Sequence, residues 1–130
     1  MPEIKIGDRL IGDGHPTYIV AEIGVNHNGI PQLAFELIDI AAAAGVDAVK
    51  FQKRTPEIAT PPAQQNQMRE TPWGYITYLE YRRKVEFGEI EYHELDRHCR
   101  EKGIPWMVSV WDEPSVDFIE KFDTPAYKIP

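Results

Sequence analysis

A carboxylate placed directly after an apolar run is the first point in this sequence where chemistry could be done. Tyr18–Ala21 suits a strand buried on both faces, and Glu22 follows at once; a charge there is costly unless it has a partner or a task. The loop Gly24-Val25-Asn26-His27-Asn28-Gly29 then brings two amides and an imidazole within reach of that carboxylate. One reading is an acid/base group with hydrogen-bonding neighbours. The other is a strand-end carboxylate capping the next helix, with Asn26, His27 and Asn28 as turn residues that tolerate positive φ.

Lys50 is the second candidate. Val46–Gln52, VDAVKFQ, reads as a strand with Ala48, Lys50 and Gln52 on one face and Val49 and Phe51 on the other. A lysine in such a run either guards an edge strand or holds an anion from a central one; Phe51 after it and helical segments on both sides favour the central strand. Ser109, near the end of the apolar run Pro105–Val110, and Lys128, within Ala126–Ile129, occupy comparable places on later strands. Two lysines, a carboxylate and an amide of this kind describe a pocket for an anionic, hydroxyl-rich small molecule.

The elements that must position these groups can be read from periodicity. The first strand covers about Thr17–Ile23. A helix over Pro31–Ala44 places Leu33, Leu37, Ile40, Ala41 and Ala44 on one stripe, with Pro31 at its first position and Gly45 at its end. A second, Glu89–Lys102, has Tyr92, Leu95 and Cys99 on its stripe, acids in its first turn, bases in its last and Gly103 as terminator, leaving His93 and His98 solvated. Thr77–Glu86 can form a short helix, and Pro114–Phe122 forms another behind Asp112. Lys53–Trp73 shows no periodicity and holds four prolines, so it reads as an irregular loop. Before the first strand, Glu3–Ile6 and Arg9–Gly12 flank Gly7-Asp8, a type II′ hairpin, and His15 reads as an exposed turn residue. Alternation of this kind predicts an α/β fold with a parallel sheet whose ligands sit at the carboxyl ends of the strands, where Glu22, Lys50, Gln52, Ser109, Asp112 and Lys128 fall.

The totals exclude several classes. With 42% hydrophobic and 11% aromatic residues in 130, the chain is globular. A formal net charge of −7 argues against a nucleic-acid or anionic-membrane surface, so an anionic substrate needs local lysines. No apolar run approaches the roughly 20 residues that span a bilayer, and the polar Glu3-Ile4-Lys5 is no signal-peptide core, which makes the cytoplasm the expected location. The single cysteine, Cys99, forbids an internal disulfide and a cysteine-based zinc site and reads as a small core residue. Ile30-Pro31 replaces the Lys-Ser/Thr of a phosphate loop, and no GxGxxG follows any strand, so nucleotide binding is disfavoured.

Five segments, KIGDRLIG, YIVAEIGVNHNG, AGVDAVKFQKR, TPWG with TYLEYRRKVEF, and PAYKIP, resemble the sialic acid synthase family along essentially the whole chain. The resemblance implies the N-terminal half of a (β/α)8 TIM barrel preceded by a short β-hairpin. Residues 1–130 would be a partial synthase domain, with the hairpin at 3–12 and strands one to four after it. It also implies condensation of phosphoenolpyruvate with an N-acyl hexosamine such as N-acetylmannosamine, use of a divalent metal, typically manganese, and a homodimer when intact. Carried over residue by residue, Glu22 becomes the acid/base carboxylate near the sugar aldehyde. Lys50 and Lys128 become contacts to the phosphoenolpyruvate anion and Gln52 a contact to the sugar, while Asn26 and His27 match the motif loop. The family often shows Ser-Thr-Pro or Ala-Ser-Pro where this chain has Ser109-Val110-Trp111, leaving Ser109 alone as a phosphoenolpyruvate contact there, and Ile30 stands where an aspartate cap is common.

The chain stops just after the fourth strand, so the resemblance implies a fragment. No metal ligand is assigned here: the family keeps two histidine ligands on later strands, none of the four histidines matches them, and the C-terminal antifreeze-like domain is absent. The 130 residues alone are expected to be inactive and to associate through unpaired edge strands. Two other readings are carried with this one, a Schiff-base aldolase-type barrel using Lys50 or Lys128, and a non-catalytic small-molecule binding module.

Overall fold

The computed structural model describes residues 2–130. It opens with the expected hairpin, β1 (Ile4–Ile6) against β2 (Arg9–Ile11), closed by Gly7 at φ 56 while Asp8 keeps negative φ, as a type II′ turn requires. Arg9 pairs with Asp47, which also accepts from the Ile19 amide at 2.7 Å, so the hairpin is tied to the start of the sheet. His15 is not free in solvent: its Nε2 lies 2.6 Å from Glu3 Oε1, securing the turn after the hairpin.

The main sheet has four parallel strands in chain order: β3 (Val20–Gly24), β4 (Ala48–Lys53), β7 (Trp106–Val110) and β8 (Tyr127–Lys128). Between β3 and β4 runs α1 (Pro31–Ala43). A long excursion follows β4: α2 (Pro56–Ala59), α3 (Pro62–Gln65), the hairpin β5 (Met68–Thr71) with β6 (Gly74–Thr77), then α4 (Tyr78–Val85). Next come α5 (Glu89–Lys102) and, between β7 and β8, α6 (Glu113–Ile119). The α/β class and the parallel sheet are as expected. No described helix is long and apolar enough to cross a membrane.

Sheet alternation separates two tasks. Ile23, Val49, Phe51, Trp106, Val108 and Val110 point into one core with α1, α5 and α6, centred on the buried Tyr92, whose ring contacts Trp106, Phe118 and Phe122. Ala48, Lys50, Gln52, Met107 and Ser109 take the opposite face. Cys99 is buried among these core side chains, and burial, reinforced by Asp96, pushes its thiol up to about 12.

Four expectations about packing are corrected. Tyr18–Ala21 is not buried on both faces: β3 is an edge strand, begins only at Val20, and leaves Ile19 54% exposed. The buried stripe of α1 is Ala34, Ile38 and Ala41, with Leu37 partly covered and Ile40 66% exposed, because the small alanines let the helix approach the sheet on that side. His98 is not solvated; it stacks on Phe35 and bonds to Asp39 at 2.7 Å, joining α5 to α1. And residues 53–73 are not irregular. Pro56 and Pro62 each open a short helix, where a missing N–H costs nothing, and Met68–Thr71 pairs with Gly74–Thr77 across Pro72-Trp73, with the Thr71 hydroxyl donating to the Gly74 carbonyl at 2.7 Å.

Candidate functional site

Ladder register puts the candidates in two rows across the carboxyl ends of the strands. Glu22 pairs with Lys50 and Lys50 with Met107; one row further, Gln52 pairs with Ser109 and Ser109 with Lys128. Lys50 links the rows. Its Nζ lies 3.1 Å from Glu22 Oε1 and donates to Ser109 Oγ at 2.7 Å. Of the three donors of an ammonium, one goes to the Ser109 hydroxyl, and the Glu22 carboxylate balances the charge. Lys50 is 5% exposed, whereas the Glu22 side chain is 66% exposed: the cation sits beneath the surface and the carboxylate stands at the mouth. Lys128 is exposed on β8, and Asn26 is exposed in the loop after β3.

Gln52 is held by two hydrogen bonds and lies in a space that only glycine leaves open. Tyr92 Oη donates to its backbone carbonyl at 2.9 Å, Arg54 Nη2 donates to its Oε1 at 3.0 Å, and a Cβ on Gly24 would come within 3.3 Å of its Nε2. The register slips by one residue between Glu22 and Gly24, where Gly24 takes φ 58, and the empty space over that glycine is where the Gln52 amide lies.

His27 turns the other way. It is 2% exposed, stacks on Phe87 with centroids 3.9 Å apart, and its Nδ1 accepts from the Gly29 amide at 3.0 Å. Its contacts are with its own loop and the core, so this imidazole braces the motif loop instead of lining the ligand face. Burial lowers its pKa to about 4, against a hydrogen bond to the Gly24 backbone that acts the opposite way. Unfolded His27 would titrate near 6.5, so between that pH and about 4 the unfolded chain binds more protons. This contribution to stability is therefore complete above 6.5 and lost as the pH falls to about 4, amounting to roughly 3 kcal/mol at about 1.4 kcal/mol per unit. Urea unfolding across that range should show a flatter profile in His27→Phe, which keeps the ring stack but cannot titrate; equal slopes would refute the assignment.

Residue-by-residue reasoning missed the cations beside this site. Lys53 Nζ bonds to the Phe87 carbonyl at 2.9 Å and reaches Glu86 Oε2 at 3.3 Å, and Arg82 lies 4.0 Å from the other Glu86 oxygen. Burial raises the pKa of Glu86 despite these cations. Arg54 and Arg82 are both buried, and the Nε atoms of both lack a hydrogen-bond partner. A usable signal was present in the adjacent Lys53-Arg54 and in Arg82 and Glu86 spaced for one helix face. Asp112, by contrast, is fully committed: its carboxylate accepts from the Thr55 amide and hydroxyl and from the Ser115 amide and hydroxyl. Burial works to raise its pKa, but those hydrogen bonds prevail and lower it.

Among the described residues no three His, Cys, Asp or Glu side chains come together as a metal site would need. His27 has one ring nitrogen occupied by Gly29, and the near partner of Glu22 is a cation. The described residues thus offer manganese no donor set. A cleft of about 420 Å³, bordered by Arg9, Tyr18, Asp47 and Lys102, lies under the hairpin at the amino ends of the strands, away from this chemistry.

Comparison with known proteins adds the family. Residues 37–130 match the family described as the NeuB family. The chain is 36% identical over 123 residues to the N-acetylneuraminate-9-phosphate synthase of Homo sapiens, covering 93% of this chain and 34% of that protein. With the N,N'-diacetyllegionaminic acid synthase of Legionella pneumophila it shares 35% identity over 127 residues, covering 92% and 34%. The crystal structure of the N-acetylneuraminic acid synthetase of Leptospira borgpetersenii superposes with a TM-score of 0.83 at 28% identity, over 98% of this chain and 41% of that one. The chain spans about a third of the length of the curated relatives it matches. With its motif loop, its strand order and this match in agreement, the chain belongs to the NeuB family.

Proposed function

We propose that the protein carrying this chain is a nonulosonic acid synthase that condenses phosphoenolpyruvate with an N-acyl hexosamine, N-acetylmannosamine or a phosphorylated or modified relative. The four parallel strands are then the first half of a (β/α)8 barrel. The observation that carries this reading is the buried Lys50 ammonium held between Glu22 and Ser109 at the strand ends. The half-barrel is supported by the strand order and by the likeness to the sialic acid synthetase structure.

In such a reaction a carbon–carbon bond forms between the phosphoenolpyruvate methylene and the sugar aldehyde carbon, the aldehyde oxygen takes up a proton, and water adds as phosphate leaves. Lys50, and Lys128 one row away, would neutralise the carboxylate and phosphate of phosphoenolpyruvate. Ser109 would orient Lys50, and Glu22, exposed beside it, would exchange the proton. Gln52 would read the sugar, with Asn26 exposed in the motif loop. Manganese would draw its donors from outside these 130 residues and the intact enzyme would be a homodimer, as the resemblance implies, in the cytoplasm expected from the polar N-terminus.

The test is phosphate release from phosphoenolpyruvate by the full-length protein with a panel of N-acyl hexosamines; no release with any of them would end the proposal. Glu22→Gln should leave phosphoenolpyruvate binding intact while lowering kcat by about 10²–10⁴, the usual worth of a positioned acid/base group. Equal losses in binding and rate would remove Glu22 from the proton transfer. Borohydride added with pyruvate distinguishes the Schiff-base alternative, which alone would leave a trapped adduct.

A further inference from the structure

We propose that Arg54, braced on Trp111, is a positioning residue that locks the Gln52 amide with its N–H groups toward the ligand, so that the site selects a sugar group that accepts hydrogen bonds. The proposal rests on the synthase reading above and specifies how one of its substrate contacts is set.

The two ends of a glutamine side chain have nearly the same shape and opposite hydrogen-bonding character, so its neighbours decide which end faces a ligand. Arginine carries donors and no acceptor. With Arg54 Nη2 at 3.0 Å, the end of Gln52 facing it has to be the carbonyl oxygen. The amide nitrogen is thereby turned toward the space above Gly24, where a side chain at position 24 would intrude. The site then presents a pair of donors at this point, suited to an acyl carbonyl or a hydroxyl oxygen and not to an N–H group.

Arg54 is itself held in place. Its guanidinium stacks 3.8 Å from the centroid of the Trp111 ring, and only 6% of the residue is exposed. Trp111 stands where the resemblance leads one to expect proline after Ser-Thr, so the departure from the family sequence at 110–111 supplies the platform on which Arg54 lies. Burial lowers the Arg54 pKa, with Arg82 adding to the effect, and its Nε has no hydrogen-bond partner among the described residues. A leucine would fill the same volume without desolvating a charge. What arginine adds is the fixed planar fork that dictates the amide's orientation.

Kinetics of the full-length enzyme test this, with both substrates varied. Arg54→Ala should raise KM for the hexosamine about tenfold and leave KM for phosphoenolpyruvate within about twofold, since a neutral contact to one substrate is lost and the Lys50 site is untouched. Gln52→Glu, which keeps the arginine partner and removes the donors, should produce the same split. Trp111→Phe retains a platform and should behave as wild type, whereas Trp111→Ala should follow Arg54→Ala. An unchanged hexosamine KM in Arg54→Ala, or equal rises for both substrates, would overturn the proposal.

A second readout does not depend on turnover. The side-chain amide resonances of Gln52, identified as those lost in Gln52→Glu, should shift and exchange faster with water in Arg54→Ala, and stay in place in Trp111→Phe. Unmoved resonances would refute the clamp even if no hexosamine proved to be a substrate, whereas shifted resonances without turnover would refute the synthase reading and leave the clamp standing.

Discussion

In the proposed synthase, Lys50→Met should lower kcat/KM for phosphoenolpyruvate by roughly tenfold to 150-fold, the range equivalent to the 1.5–3 kcal/mol of a charge-assisted contact, while leaving the fold intact. The prediction separates two roles that a buried lysine could have. Were Lys50 retained for stability, its loss would show chiefly in unfolding. Its partners argue otherwise: Glu22 is mostly in water and loses little when the ammonium goes, and only the Ser109 hydroxyl is left without its donor. Methionine has nearly the same length and no desolvation cost, so the unfolding free energy should move by no more than about 1 kcal/mol. A large stability loss with unaltered kinetics would reverse the assignment. Lys128→Met should also weaken phosphoenolpyruvate binding, through an exposed side chain in the adjoining row.

Gly29→Ala should cost far more than any other small substitution in the motif loop. Gly29 has φ 72, and a Cβ there would lie 2.1 Å from the carbonyl oxygen of Lys84 and 3.2 Å from its carbon. The obstacle is backbone, so no side chain can swing aside. The loop would have to lift from the end of α4, taking with it the His27 stack on Phe87. A destabilisation of at least about 4 kcal/mol is expected, in the class reserved for named structural failures. Gly45 provides the control: its φ is 77, but nothing lies within 4 Å of an added Cβ. Gly45→Ala should show only the cost of left-handed backbone, about 1–2 kcal/mol. Similar melting temperatures for the two variants would mean that the loop is not docked on α4.

Local rules worked where one signal acted unopposed. Helix α5 runs over the residues its caps and stripe predicted, with Gly103 at φ 67 closing it, and the hairpin around Gly7 and the order of the four parallel strands also followed from turn chemistry and alternation. They failed where two patterns competed. In α1, Leu33-Leu37-Ile40 and Ala34-Ile38-Ala41 both fit the helical period, and only the distance to the sheet decides between them. In 53–73 the prolines masked order because each short helix begins at one, and the hairpin after them is held by pairing that no local pattern reveals.

The candidate site divides the same way. Glu22, Lys50, Gln52, Ser109 and Lys128 could be placed because strand-end position and face follow from a period of two. The inward turn of His27 could not, since it depends on Phe87, which arrives sixty residues later in the chain. Nor could the role of Arg54, which depends on Trp111 and on an amide end chosen in three dimensions.

Asp112 receives four hydrogen bonds, two from Thr55 in the segment after β4 and two from Ser115 at the start of α6. It therefore rivets together the loops that leave two neighbouring strands, and neither can be displaced without dragging the other. The rim on that side of the sheet should behave as a single stiff hoop: the Thr55 and Ser115 amides should exchange with deuterium slowly and at matched rates, and Asp112→Asn, which keeps the shape but weakens the acceptor, should loosen both together. The stiffened rim thus belongs to the two central strands, while Asn26 stands in the open on the loop after the edge strand β3.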